Sequence, residues 1–161
     1  MSEKYTISSL SEAQTINIGK IIGELAEPGT IIALVGELGA GKTVLAKGIA
    51  KGLRVEQEPN SPTFVILNIY SGRLTLNHLD LYRIQSEDEL IDIGFSELIN
   101  SDGVSVIEWA DKIGHILPED TLTIEIYHSD SENNNFSSKR NLVVKGQKEW
   151  VSLFKNTVEQ A

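Results

Sequence analysis

The chain has no cysteine, few aromatic residues and no long apolar run. Without cysteine it can form neither a disulfide nor a thiolate metal site, and it has no cysteine nucleophile. No run of apolar residues is long enough to span a bilayer, and residues 1–7 do not form a basic-then-apolar leader. Nothing in the sequence therefore directs the chain to a membrane, and we expect a cytoplasmic protein.

Positive charge is also scarce. The chain has 14 Lys and Arg residues against 23 Asp and Glu, which gives a formal net charge of −9. Clustered Lys and Arg supply most of the affinity for nucleic acid, and no such cluster occurs. We expect no strong direct binding of RNA or DNA, although a partner can bring the chain to nucleic acid. The length and composition suit a single domain, residues 1–161.

The sequence GELGAGKT at residues 36–43, called here the phosphate-binding loop, fits the pattern G-x-x-x-x-G-K-[ST]. Gly36, Gly39 and Gly41 allow backbone conformations that a Cβ would forbid, so that successive N–H groups point inward around a phosphate. Lys42 can reach the β- and γ-phosphates, and the Thr43 hydroxyl can bind the Mg²⁺ that bridges them.

The flanking sequence fits the same interpretation. Residues 30–35 are a short apolar run that predicts a buried strand, and residues 44–51 have helical spacing. A helix that begins at the loop adds its partial positive charge at the phosphate. A glycine-rich turn with an incidental lysine would not require this order of strand, loop and helix.

Two further apolar segments, 64–70 and 73–81, predict strands that Ser71-Gly72 joins in a two-residue turn. This predicts an antiparallel hairpin. The remaining elements are an edge strand at 4–7, a helix from Ser9 or Ser11 to Pro28-Gly29, and short helices from 87 and 94. Strands at 104–108, 122–127 and 140–145, a polar loop at 129–138 and a C-terminal helix follow. Together they predict an α/β fold: a P-loop NTPase-like three-layer sandwich with a mixed sheet that contains the hairpin.

Two carboxylates stand at predicted strand ends, Asp80 and Glu108. P-loop proteins hold Mg²⁺ with an acidic residue in such a place, so both are candidates to bind the metal or the attacking water. The alternative is a surface charge at a strand end. His78 lies on the same face of its strand as Asp80, and a structural role fits it better than a catalytic one.

The polar segment 56–63, with two prolines, predicts a loop after the helix of the phosphate-binding loop. Such a loop can fold back over a nucleotide, so that Thr63 responds to the γ-phosphate or its metal. An ordinary connection fits this segment equally well.

The class of nucleotide follows from what is missing. A GTPase needs a guanine-reading Asn-Lys-x-Asp element, which does not occur. A kinase usually has an arginine-rich lid, whereas this chain has four dispersed arginines. ATP with slow hydrolysis is the better interpretation.

Four segments together resemble the bacterial TsaE family, also called YjeE, over roughly residues 10–145. They are the phosphate-binding loop, Ser61-Pro62-Thr63-Phe64, His78-Leu79-Asp80-Leu81-Tyr82-Arg83 and Ile107-Glu108-Trp109-Ala110-Asp111. The resemblance implies a Mg²⁺-dependent ATPase that is slow alone and depends on its partners. It also implies a role in threonylcarbamoyl modification of the adenosine beside the anticodon of tRNAs that read codons beginning with A. The implied partner is the complex of TsaD and TsaB, which the protein regulates or resets, and tRNA is reached only indirectly.

The resemblance also implies roles for particular residues. Nucleotide binding is implied for Gly39, Ala40, Gly41, Lys42, Thr43, Val44, Trp109 and Arg140. Catalytic roles are implied for Lys42, Thr63, Asp80 and Glu108, and Mg²⁺ binding for Thr43 and Glu108. Two other functions stay open: a small-molecule kinase of the same fold, and a nucleotide-dependent binding clamp whose hydrolysis is incidental.

Overall fold

A computed structural model describes residues 2–57, 59, 66–128 and 139–161. The elements along the chain are β1 (Ser2–Ser9), α1 (Glu12–Leu25), β2 (Ile31–Val35), α2 (Lys42–Gly52), β3 (Leu67–Tyr70), β4 (Leu76–Asp80), α3 (Asp88–Asp92), α4 (Phe95–Ile99), β5 (Val104–Glu108), a 3₁₀ helix (Ala110–Ile116), β6 (Leu122–His128), β7 (Arg140–Gln147) and α5 (Lys148–Gln160).

The strands form one mixed sheet in the order β1-β7-β6-β2-β5-β4-β3. The four strands β6, β2, β5 and β4 are mutually parallel, while β1, β7 and β3 pair antiparallel with their neighbours. The apolar run of β2 is buried along Ile31–Leu34 because β2 lies at the centre of the sheet. The predicted mixed sheet with an antiparallel hairpin is confirmed.

Helices cover both faces of the sheet, which confirms the three layers. Alternate residues of β2 point to opposite faces: Ile32 and Leu34 pack in one core cluster, Ile31 and Ala33 in another. The first cluster receives apolar side chains from α1, α2 and α5. The second receives them from α3, α4 and the 3₁₀ helix.

Helix α1 begins where the sequence predicts and ends earlier. The Ser11 hydroxyl caps it by accepting a hydrogen bond of 3.1 Å from the Gln14 N–H. The helix stops at Leu25, shortly before the predicted boundary at Pro28-Gly29, and the guanidinium of Arg73 binds carbonyl groups at this end. Arg73 Nη2 donates to the carbonyl oxygens of Gly23, Glu24 and Ala26 at 2.6–3.0 Å.

The same arginine explains why the two-residue turn at Ser71-Gly72 is wrong. Tyr70 pairs with Leu76, so residues 71–75 form the hairpin connection, and the strands are shorter than 64–70 and 73–81. The Arg73 N–H donates to the carbonyl oxygen of Leu53 at 2.7 Å, which holds this connection against the end of α2. Residues 64–65 of the predicted first strand lie outside the described residues.

The 3₁₀ helix was not predicted. Most of the predicted loop at 56–63, including Thr63, and all of residues 129–138 lie outside the described residues. Within the described ranges, no helix is long and apolar enough to cross a membrane.

Candidate nucleotide site

The carboxyl ends of the parallel strands form one edge of the sheet, and the predicted site residues collect there. The phosphate-binding loop follows β2, while Asp80 ends β4 and pairs with Glu108 at the end of β5. Because β7 runs antiparallel to β6, its first residue, Arg140, lies at the same edge opposite His128. Ligands of open α/β sheets bind outside the carboxyl ends of the strands, so this edge is the candidate nucleotide site.

The glycines of the phosphate-binding loop meet two different physical needs. Gly39 (φ 79°) and Gly41 (φ 114°) have left-handed backbone conformations that disfavour a Cβ. At Gly36 the constraint is space, because an added Cβ would lie 2.7 Å from the carbonyl oxygen of Ile126 in β6. The loop is therefore shaped both by its own backbone and by the neighbouring strand.

Lys42, the first residue of α2, is buried at the centre of the site. Its Nζ donates to the carbonyl oxygens of Gly36 at 2.5 Å and Glu37 at 2.8 Å. The same Nζ lies 4.0 Å from the centre of the Trp109 ring, within the range of a cation–π interaction. The ammonium is thus held beneath the loop whose N–H groups are predicted to bind phosphate.

The charges around Lys42 favour a metal ion between protein and phosphate. Burial lowers the pKa of the Lys42 ammonium, and nearby carboxylates oppose this shift. These carboxylates are Glu108, Asp111, Asp80 and Glu37, in decreasing order of effect. Carboxylates repel phosphate unless a cation separates them, so this charge pattern suits a divalent metal bound with the phosphates.

Thr43 and Glu108 meet across the boundary between α2 and β5. The Thr43 hydroxyl donates to Glu108 Oε1 at 2.9 Å, and His78 Nε2 lies 2.6 Å from Glu108 Oε2. Hydroxyl and carboxylate oxygens are the ligand types that Mg²⁺ prefers, so the donor set fits this metal. In the described part of the chain no group of three or more His, Asp or Glu residues is arranged to hold a metal, so phosphate oxygens and water would complete its shell.

Asp80 is partly exposed to solvent beside this pair. Its Oδ1 accepts a hydrogen bond of 3.0 Å from the Tyr82 N–H, and its own N–H donates to the carbonyl oxygen of Ile66. These two bonds fix the turn at the end of β4 and hold the carboxylate at the sheet edge. Its predicted role toward water stays a prediction.

Trp109 forms a wall of the site in a backbone conformation that is rare for its residue type. Its φ of 60° and ψ of 36° lie in the left-handed region, directly after Glu108. Such a conformation costs about 1–3 kcal/mol, and it turns the chain from β5 into the 3₁₀ helix. The indole ring packs against Tyr82, with ring centres 5.0 Å apart, and against the Lys42 ammonium.

Arg140 binds the phosphate-binding loop itself. Its Nε donates to the carbonyl oxygen of Ala40 at 2.7 Å and its Nη2 to that of Gly39 at 3.4 Å. The contact of Arg140 joins β7 to the loop across 100 residues of sequence, and the predicted contact of Arg140 with nucleotide stays a prediction. Val44, which is also predicted to contact nucleotide, is half-buried in the first turn of α2.

The structure also adds groups that sequence reasoning did not assign to the site. His78 binds Glu108, Tyr82 packs against Trp109, and the nearby Asp111 carboxylate raises the pKa of Lys42 against the lowering effect of burial. Sequence could have indicated these three residues, because each lies within one of the four segments that carry the family resemblance. Thr63 lies outside the described residues.

Comparison with protein-family models matches residues 9–140 to a family described as threonylcarbamoyl adenosine biosynthesis protein TsaE. Two curated relatives have the name tRNA threonylcarbamoyladenosine biosynthesis protein TsaE. The protein of Treponema pallidum is 45% identical over 118 residues, which cover 73% of this chain and 87% of that protein. The protein of Bacillus subtilis is 41% identical over 119 residues, which cover 73% of this chain and 74% of that protein.

A solved structure is similar over almost the whole chain. The crystal structure of YdiB from Bacillus subtilis matches with a TM-score of 0.74 and 27% sequence identity, covering 99% of this chain and 97% of that one. The similarity confirms the P-loop NTPase-like fold.

Proposed function

Because this chain belongs to the TsaE family of tRNA threonylcarbamoyladenosine biosynthesis proteins, we propose that it is a Mg²⁺-dependent ATPase that regulates or resets the TsaD–TsaB transferase complex. The modified nucleoside is the adenosine beside the anticodon of tRNAs that read codons beginning with A. The whole chain acts as one ATPase domain. The observation that carries this proposal is the contact of Thr43 with Glu108 next to the buried ammonium of Lys42.

Phosphate binding is the first step. The backbone N–H groups of residues 39–44 turn toward the β- and γ-phosphates at the N-terminus of α2, where the helix dipole favours negative charge. Lys42 adds a full positive charge from within the loop. Thr43 and Glu108 would hold Mg²⁺, whose charge would offset the negative charge of the phosphate oxygens.

Hydrolysis follows from the groups around the γ-phosphate. A water molecule attacks the γ-phosphorus in line, the bond to the β–γ bridging oxygen breaks, and the water proton leaves to solvent as ADP and phosphate form. Asp80 orients this water by accepting its hydrogen bond. Lys42 stabilises the charge that develops on the transferred group, and Thr63 senses the γ-phosphate.

The charge of the molecule supports a regulatory role beside tRNA rather than direct contact with it. A net charge of −9 disfavours binding to the negatively charged phosphate backbone of RNA. In the proposed assembly TsaD and TsaB contact the tRNA, and this protein docks on them.

The direct test of the ATPase is hydrolysis by a Lys42→Ala variant. Lys42 supplies a full positive charge from beneath the loop, and alanine removes that charge, so we expect hydrolysis to fall by about 100-fold or more. The matched control is Lys51→Ala, at an exposed position in the last turn of the same helix. Hydrolysis by Lys42→Ala at the rate of the control would contradict the proposed site.

A further inference from the structure

We infer that His78 is a positioning residue, which donates a hydrogen bond to Glu108 and thereby holds that carboxylate ready to bind the divalent cation. The inference rests on the proposed function, because it concerns the metal of the same site. It assigns a specific task to a residue whose sequence position alone favours a general structural role.

The strand register brings His78 to Glu108. His78 pairs with Val106 in β5, and Glu108 lies two residues further along that strand, on the same face. This face continues the core cluster of Leu76 and Val106 that packs beneath α1 and α2. The histidine therefore approaches the carboxylate from within the core, on the side of the sheet where α2 supplies Thr43.

The direction of the hydrogen bond follows from the chemistry of the carboxylate. An ionised carboxylate can only accept, so the proton of the 2.6 Å contact belongs to His78 Nε2. Oε1 accepts from the Thr43 hydroxyl at 2.9 Å. Because each carboxylate oxygen contacts a donor, the carboxylate cannot rotate without losing a bond.

Burial makes this restraint strong. The side chains of His78 and Glu108 are 2% and 3% exposed, so a lost hydrogen bond could not readily be replaced by one from bulk water. A carboxylate that is oriented before the metal arrives loses less conformational freedom on binding it. Residues that orient a metal ligand in this way typically contribute about 10–100-fold in metal affinity.

Asn77 offers a matched comparison on the same strand. It is the preceding residue, is equally buried, and faces the opposite side of the sheet, where its Nδ2 lies 3.5 Å from the Ser105 hydroxyl. It has no contact with Thr43 or Glu108 among the hydrogen bonds of the described residues. Any loss of metal affinity in an Asn77 variant therefore measures the effect of disturbing β4 without disturbing the Glu108 carboxylate.

The test measures Mn²⁺ affinity by electron paramagnetic resonance in the presence of a non-hydrolysable ATP analogue. The variants are His78→Ala, His78→Asn and His78→Gln, with Asn77→Ala as control, and thermal unfolding verifies that each is folded. The side-chain amide of glutamine reaches about as far as Nε2 of histidine, whereas that of asparagine is one carbon shorter. A comparison of these two variants distinguishes the effect of the donor's reach from the effect of a polar side chain.

We expect Mn²⁺ affinity to fall about 10–100-fold in His78→Ala and His78→Asn. His78→Gln should stay within about threefold of wild type, because its amide donates to the same oxygen. Asn77→Ala should lower the unfolding temperature while leaving Mn²⁺ affinity unchanged. If His78→Ala does not fold, the comparison of His78→Gln with His78→Asn gives the same decision.

Equal Mn²⁺ affinity in folded His78→Asn and wild-type protein would overturn the inference and leave the proposed function intact. Wild-type protein that binds the ATP analogue without any Mn²⁺ dependence would overturn the metal site itself, and the inference with it. Equal losses in His78→Asn and His78→Gln would also overturn it, because histidine would then matter for a reason other than its hydrogen bond.

Discussion

Glu108 joins three elements at one point of the molecule. It ends β5, accepts a hydrogen bond from Thr43 at the start of α2, and binds His78 of β4. Removing either partner would take a hydrogen bond away from a buried carboxylate, which costs about 1–3 kcal/mol. The residue is therefore fixed by the fold before any ligand binds, whereas Asp80, partly exposed at the neighbouring strand end, is held through the turn that follows it.

That difference separates binding from turnover. We predict that Asp80→Asn lowers ATP hydrolysis by about 10²–10³-fold, because an amide is a poor acceptor for the attacking water. The nucleotide affinity should change by less than about threefold, since asparagine keeps the Oδ1 that accepts the Tyr82 N–H. Steady-state hydrolysis and calorimetric titration with an ATP analogue measure the two quantities.

Asp88→Asn, at an exposed position in the first turn of α3, removes the same charge away from the site and should hydrolyse ATP normally. An Asp80→Asn protein that hydrolyses ATP at the wild-type rate contradicts the role given to Asp80. If the variant instead loses hydrolysis yet still binds the partner complex in an ATP-dependent way, binding and turnover are separate tasks.

The residues of the site differ in how far sequence could predict them. Lys42 and Thr43 follow from the motif, because its spacing fixes where a helix starts. Glu108 was predicted as a metal ligand from its strand end, but its bond to His78 was not, because that contact depends on which residues pair between β4 and β5. The binding of Arg140 to the loop depends on strand order in the same way.

At the scale of elements, α1 and α2 pack backbone against backbone. Two glycines of each helix line the contact: Gly19 and Gly23 in α1, Gly48 and Gly52 in α2. An added Cβ at any of them would lie 2.2–2.5 Å from a carbonyl oxygen of the other helix. Because α2 begins at the phosphate-binding loop, this contact sets the position of the loop against the first helix.

We predict that Gly48→Ala destabilises the protein by about 1–3 kcal/mol, measured by urea unfolding. The new Cβ would lie 2.3 Å from the Ile16 carbonyl oxygen and 3.0 Å from the Gly19 Cα, so the helices must separate. This steric cost exceeds the gain of about 0.5–1 kcal/mol that alanine gives a helix interior.

Gly114→Ala is the control, because a Cβ there meets no atom within 4 Å. Its free energy of unfolding should stay within about 0.5 kcal/mol of wild type. A Gly48→Ala protein as stable as wild type would show that the two helices are not held at this distance.

Element prediction succeeded where periodicity or a motif was strong and failed where distant contacts decide. The strand at 104–108 and the helix after the phosphate-binding loop have the predicted type and nearly the predicted ends. The predicted turn at Ser71-Gly72 was wrong because Arg73 binds the end of α1 and, together with the closely packed Gly72, lies against Leu53 at the end of α2. The glycine contact of α1 with α2 was missed because each glycine alone suggests only a weak helix position.

In the molecule as a whole, the fold places the residues predicted to bind nucleotide at one edge of the sheet. β1 and β3 form the two lateral borders of the sheet, and the loop, Asp80, Glu108 and Arg140 lie at the carboxyl ends of the strands between them. The overall charge is strongly negative. A nucleotide site at one edge of an acidic molecule suits a protein that acts on a partner complex rather than on tRNA itself.

The proposed regulatory function is tested by ATP hydrolysis by the purified protein with Mg²⁺, with and without the TsaD–TsaB complex, followed by tRNA modification in the same mixture. We predict that the partners stimulate hydrolysis and that repeated rounds of modification require this protein with Lys42 intact. If TsaD and TsaB neither bind the protein nor change its hydrolysis, and modification proceeds equally without it, the proposed regulatory function is wrong.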